Sequence, residues 1–321
     1  TTMLEHILLP LDGSLLAERV LPHAVTLSKA FDSQLTLLRV IYQPEEANQH
    51  GIINPMDWQM RKSEAEAYLT SVQNRLDEIG KESDIQILEG RPAEQIIEFA
   101  KDKDVDLIIL SSHGKSGPSA WNINSTVQKV LLRAFMPVMI IRAYQEAYDG
   151  LEGLTYDRLF LPLDGSTRAE CILPLAKSIC EQQKSKIFFT HIIEEPKLPR
   201  QTPISDEVKS LLDQLREVNF KEAEKYFENI EDQFKENNVE FIIESSKQPT
   251  IALHNIIDRE KIGLVLLSAH GYSGESRWPY GKIALNFISY GTTPLIIIQD
   301  LSEDEVGKTM AEKYAEQTKG H

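Results

Sequence analysis

Apolar residues recur along this chain in two alternating rhythms. Short solid runs, such as Ile7-Leu8-Leu9 and Leu107-Ile108-Ile109-Leu110, are bounded by turn residues and read as strands buried on both faces. Between them lie stretches of helical spacing, such as Ala17, Val20, Leu21, Ala24 and Leu27. In chain order the pattern predicts strand one over 6–11 and a helix opened by Ser14 as N-cap. Strand two then spans 35–42, and a loop spans 43–56. A long amphipathic helix over 57–79 is closed by Gly80. Strand three follows over 84–89, then a helix from Pro92 through Ala100 and strand four over 105–110. A glycine loop leads into a helix to about Phe135, and strand five spans 137–142. Pro22 falls inside the first helical pattern and predicts either a kink or the true helix start.

The same order returns from Arg158 to Asp300. Leu8-Leu9-Pro10-Leu11-Asp12-Gly13-Ser14 recurs as Phe160-Leu161-Pro162-Leu163-Asp164-Gly165-Ser166. His113-Gly114, Ser116-Gly117 and Trp121 recur as His270-Gly271, Ser273-Gly274 and Trp278, and Pro22 as Pro174. This is one domain duplicated in tandem. The expected division is a first unit over 1–145, a linker over 146–156, a second unit over 157–300 and a disordered or partly ordered tail over 301–321.

Alternating strands and helices predict a parallel sheet with helices on both faces. Ligands of such a sheet sit at the carboxyl ends of the strands, where the strand order reverses. Asp12 and Asp164 end strand one of each unit, and the glycine loops end strand four. If strands one and four are neighbours, both features line one crevice. A glycine loop that opens a helix can aim backbone N–H groups at phosphates.

Composition narrows the choice of ligand. A net charge of -15 argues against nucleic acid or an anionic membrane as partner, but leaves room for a small anion in a nest of N–H groups. No run approaches the roughly 20 apolar residues of a spanning helix. Without a signal-peptide core near Thr1, the expected location is cytoplasmic. Cys171 and Cys180 fall on opposite faces of one predicted helix and read as small buried hydrophobes. The eight histidines show no metal-ligand spacing. No Gly-x-Ser-x-Gly elbow is present. Gly281-Lys282 ends like a P-loop, but Ser276 and Ile283 stand where that motif needs Gly and Ser or Thr. Plain readings stand beside the functional ones. Asp12-Gly13-Ser14 also reads as a capped turn, His113 and His270 as structural residues, Trp121 and Trp278 as loop packing, and Lys282 as a solvated cation.

Several motifs together resemble the universal stress protein family. They are the strand ending in Pro-Leu-Asp-Gly-Ser, Leu37-Leu38-Arg39-Val40, Gly90-Arg91-Pro92-Ala93-Glu94, the Ser-x-His-Gly loop and the final Pro-Val-Met-Ile-Ile strand. The resemblance covers about 4–142 and 158–299, and is to a tandem two-domain member. It implies an α/β fold of the adenine-nucleotide alpha-hydrolase type: two tandem doubly wound five-stranded parallel sheets, each of strand order 3-2-1-4-5. It implies that the halves pair through their fifth strands as an internal pseudo-dimer, with a homodimer also open. It implies ATP or another adenine nucleotide as ligand, with magnesium optional.

Nucleotide-binding members carry Gly-x-x-Gly, nine residues, then Gly-Ser or Gly-Thr. This chain has Ser111, Gly114 and Asn124-Ser125 in the first half, and Ser268, Gly271 and Gly281-Lys282 in the second. By resemblance, Asp12 and Asp164 accept a hydrogen bond from adenine, and the backbone of Val40 and Ile192 meets the base. Gly114, Ser125, Gly271 and Gly281 match positions that hold ribose and phosphates, and Gly117, Asn124, Gly274 and Lys282 lie in the same loops. Asn124 tolerates left-handed backbone better than most residues, which makes it a fair substitute for glycine. The two glycines retained in the second half favour that half as the binder. Three readings stay open: a nucleotide-sensing module of the stress response, a scaffold whose degenerate sites have lost the ligand, and a slow ATP hydrolase for which no base can be named.

Overall fold

The computed structural model describes residues 4–42, 55–113, 123–143, 148, 150–196, 205–271 and 280–300. The first half runs β1 His6–Pro10, α1 Leu21–Phe31, β2 Gln34–Ile41, α2 Pro55–Asp77, β3 Asp84–Glu89, α3 Pro92–Asp102, β4 Leu107–Ser111, α4 Ser125–Leu131 and β5 Val138–Ile141. The second runs β6 Arg158–Pro162, α5 Leu173–Gln183, β7 Lys186–Glu194, α6 Asp206–Gln233, β8 Asn238–Ser246, α7 Pro249–Arg259, β9 Leu264–Ser268, α8 Lys282–Tyr290 and β10 Leu295–Ile298.

Within each half the strands lie in the order 3-2-1-4-5, but the expected two sheets are one. All ten strands form a single sheet, β3-β2-β1-β4-β5-β10-β9-β6-β7-β8. Neighbours within each half run parallel. The joint between halves is antiparallel, with Leu295 opposite Ile140, Ile296 opposite Met139 and Ile297 opposite Val138. The physical reason lies in the joint strands themselves. Val138-Met139-Ile140-Ile141 is buried throughout, and an open edge of that composition would leave apolar faces and a row of peptide groups bare.

Side chains alternate across the sheet, so successive residues feed two cores. Ile7 and Leu9 pack into the core that contains Leu69 of α2 and Phe227 of α6, whereas Leu8 packs with Ile96 of α3 and Phe287 of α8. Each core runs through both halves. Polar bonds tie them further. Arg142, buried just past β5, donates to the carbonyl of Phe287 at 2.6 Å. Tyr280 donates to the carbonyl of Leu131 at 2.8 Å. His23 of α1 bonds Tyr156 at 2.7 Å, and burial lowers its pKa to about 3.

Three local expectations are revised. Ser14 does not open an α-helix: its hydroxyl accepts from Ala17 N at 3.1 Å, and residues 17–20 form a 3-10 turn. The α-helix begins at Leu21, so Pro22 marks the helix start without kinking it. Cys171 and Cys180 do not share one α-helix, since Cys171 lies in the matching 3-10 turn and is only half-buried. The helix expected to reach Phe135 ends at Leu131. Among the described residues no helix is long and apolar enough to cross a membrane.

Candidate functional site

In each half, strand one stops before its neighbours and hands the chain to an Asp-Gly-Ser turn. Leu11 N reaches Leu38 O at 2.8 Å, the last backbone bond between this stretch and β2, and Leu163 N reaches Thr190 O at 2.8 Å in the second half. Peptide groups two residues apart face the same side of a parallel strand. The N–H and C=O of Val40 therefore face the side of β1, past its end, and those of Ile192 do so beside β6.

The turn is built on the aspartate. Asp12 Oδ1 accepts from Ser14 N at 3.0 Å and from Ser14 Oγ at 2.5 Å, and Asp164 repeats both bonds with Ser166 at 3.0 and 2.6 Å. Gly13 and Gly165 have φ of +79° and +82°, which only glycine adopts without strain. The capped-turn reading of Asp12-Gly13-Ser14 is thus correct for Oδ1, and it leaves Oδ2 outside the turn.

Asp12, Val40 and Asn124 come together around one cavity of about 120 Å³ at the carboxyl ends of β1 and β4. Pro92 and Ile96 of α3 supply an apolar wall, and Thr126 borders the same space. Sequence reasoning missed these three. Ser111 also lines the cavity, and its hydroxyl is buried with no hydrogen-bond partner among the described residues. Arg39 stands behind Asp12: its guanidinium donates to Leu11 O at 3.2 Å. Burial lowers the Arg39 pKa, against the opposing pull of Asp12 and Tyr68. Burial and neighbouring Glu18 in turn hold the Tyr68 hydroxyl well above its ordinary value.

Asn124 adopts φ -68° and ψ 161°, so the expected left-handed backbone is not there. It is the N-cap of α4, its side chain accepting from Val127 N at 2.9 Å. Gly281, its counterpart, has φ -70° and ψ 171° and caps α8 without a side chain. Neither position needs glycine for its dihedrals. Ser125 and Lys282 begin the two helices and are exposed. Gly114, Gly117 and Gly274, with Trp121 and Trp278, lie outside the described residues.

The second half is arranged differently. A Cβ built on Gly271 would stand 2.0 Å from Asp164 Oδ2. His191 replaces Arg39 and bonds Leu163 O at 2.9 Å. His270 donates from both its backbone N and its Nδ1 to Asp300 Oδ1, at 3.0 and 2.7 Å, and Arg168 lies 3.6 Å from Asp300 Oδ2. This buried carboxylate went unseen in the sequence, where it is only the last residue of the repeat. In the first half His113 bonds Ser112 Oγ at 3.0 Å instead. Ser268, the counterpart of Ser111, is tied back to His270 O at 2.5 Å. Both imidazoles are buried.

Residues 3–142 match the family model described as the Universal stress protein family. A universal stress protein of Methanocaldococcus jannaschii is 29% identical over 140 residues, which cover 42% of this chain and 81% of that protein. One from Bacillus subtilis is 28% identical over 154 residues, 44% of this chain and 100% of the relative. Among solved structures, a universal stress protein from Archaeoglobus fulgidus aligns over 92% of this chain and 98% of its own, with a TM-score of 0.64 and 19% identity. A functionally unknown protein from Pseudomonas aeruginosa aligns over 98% of both chains, with a TM-score of 0.67 and 13% identity. At such identities the two structures speak for the shared fold alone.

Proposed function

We propose, on the match of residues 3–142 to the universal stress protein family, that the chain binds an adenine nucleotide in the first-half cleft and acts as a binding or sensing module of the stress response. The observation that carries the reading is the cleft that Asp12, Val40 and Asn124 line together. In this reading the Asp12 carboxylate accepts from the exocyclic amino group of adenine. The free peptide edge at Val40 meets the ring, and Ile96 and Pro92 pack against it. The N–H groups at the start of α4, with Ser125, face the phosphates. ATP is the foremost candidate. Among the described residues no three metal-binding side chains converge, so any magnesium would be carried by the phosphates.

We assign the second half a supporting role, reversing the preference that retained glycines alone would give. Asp164 fills the space beside Gly271, and buried Asp300 takes the His270 N–H with a negative charge next to the loop that would hold phosphates. Ile192, Gly271, Gly281 and Lys282 then belong to a degenerate site. The repeated strand order supports the division into units over 1–145 and 157–300.

Isothermal titration of the full chain with ATP and AMP tests this reading, together with chromatography of whatever the denatured protein releases. One equivalent per chain is expected, with affinity weakened in Asp12→Ala and unchanged in Asp164→Ala. Affinity unchanged in Asp12→Ala but weakened in Asp164→Ala places the ligand in the other half, and no binding by any form leaves the scaffold reading.

A further inference from the structure

Helix α6 carries an apolar stripe that is exposed among the described residues, with Leu215 also bordering a cavity beside Ile193 and Pro196. Val208, Leu211, Leu215 and Val218 are 38%, 64%, 48% and 55% exposed. Their spacings of three, four and three residues place them on one narrow seam, the a and d positions of a coiled coil. The stripe has definite ends. Ser205 caps the helix just before it, accepting from Val208 N. Past Val218 the next two seam positions are Glu222 and Lys225, and the helix presses Ala223, Phe227 and Ile230 into the core instead.

We propose that this seam is a homodimer interface, in which α6 of one copy lies antiparallel against α6 of another. The spacing is self-complementary. In an antiparallel pair centred beside Asp213, Val208 of one copy meets Val218 of the other, and Leu211 meets Leu215, so each apolar layer is filled twice by symmetry. The paired stretch runs from the helix start to Phe220, which is where the seam gives way to charge. The flanking charges agree. Glu207 and Lys221 are two heptads apart on the same side of the helix, and antiparallel pairing brings Glu207 of each copy to Lys221 of the other, which also bonds Glu217 of its own helix at 2.7 Å. Parallel pairing would set Glu207 against Leu212 and satisfy no charge.

The sheet leaves few other routes to a dimer, because β5 and β10 already consume each other's edges and only β3 and β8 remain outermost. Among the described residues of the first half no helix carries an equivalent stripe. In α2 only Met56 and Met60 are exposed large apolar residues, and Ser63, Glu64 and Ala67 follow them. One self-complementary patch per chain closes as a two-fold dimer and does not propagate into a filament. Four short layers are a small interface, so the dimer is reversible, with Kd on the order of micromolar.

Sedimentation velocity of the full chain over a concentration series reaching several hundred micromolar reads this out. The wild type should pass from monomer to dimer. Leu211→Asp with Leu215→Asp should raise Kd by about tenfold or more while leaving the far-ultraviolet spectrum unchanged. Lys221→Glu should weaken the dimer, and Glu207→Lys in the same chain should restore it. A wild type that stays monomeric, a dimer indifferent to the aspartates, or a charge swap that fails to restore pairing each overturns the proposal. The charge swap keeps the test decisive even if the aspartate variant folds poorly.

Discussion

Gly271 and Asp164 stand so close that a methyl group on the glycine would reach to 2.0 Å from the carboxylate Oδ2. The aspartate cannot retreat freely, because its Oδ1 holds Ser166 N and Oγ. Gly271→Ala should therefore cost about 1 kcal/mol, the worth of the Ser166 bonds that must be given up. In an Asp164→Ala background the same change should cost nothing. A denaturant double-mutant cycle measures the difference, and equal costs in both backgrounds would refute the steric account.

Asp12 is the corresponding test of recognition. Asp12→Ala should weaken ATP binding by about 1–3 kcal/mol, as for loss of a buried hydrogen-bond partner, with the fold intact. Calorimetric titration at fixed ionic strength checks it. Val40→Ala should change affinity little, because the base is read there by backbone.

The two halves hold each other through single buried side chains. Arg142→Ala leaves the Phe287 carbonyl without its charged donor and should cost about 1.5–3 kcal/mol. Tyr280→Phe loses a neutral bond to Leu131 and should cost about 1 kcal/mol. Thermal melts of both variants rank them, and the opposite ranking would mean that Arg142 is mainly a packing residue.

Acid stability should depend on His23. Its folded pKa of about 3 lies below the ordinary 6.5, so between those values the unfolded chain binds the extra proton. Stability contributed by neutral His23 is complete above the unfolded pKa. It falls as the pH drops below about 6.5, by up to about 1.4 kcal/mol per pH unit, and levels off near 3. His23→Gln can keep a bond to Tyr156 but does not titrate. Urea melts at pH 7 and pH 5 should show the wild type losing more than the variant.

Much of the fold was legible because its strands are solid apolar runs. Asp84–Glu89 stands as the pattern placed it, and β1 differs only by the loss of Leu11. Composition did not reveal the union of two sheets, since an edge strand such as Val138–Ile141 reads the same whether solvent or another strand lies beside it; only the family resemblance implied that the fifth strands pair. Asp12, Val40 and Asn124 were found by motif, and the fold brings them to one cleft. Asp300 escaped because its partner His270 is 30 residues away and no local rule links them. Asn124 was misjudged because the motif was taken to demand unusual dihedrals there, when the position asks for a helix cap.

The antiparallel joint of β5 and β10 also sets what happens to a chain that is cut. A fragment ending near Ala143 would carry Val138-Met139-Ile140-Ile141 as an open, uncharged template, with the groups that face β10 unmet. The matching fragment from Leu154 onward would carry Leu295-Ile296-Ile297-Ile298 in the same condition. Each fragment made alone should capture a second copy of itself or precipitate, whereas the two made together should find each other and rebuild the sheet. The joint is thus a natural split point for fragment complementation, and either half in isolation would present an assembly the intact chain never forms.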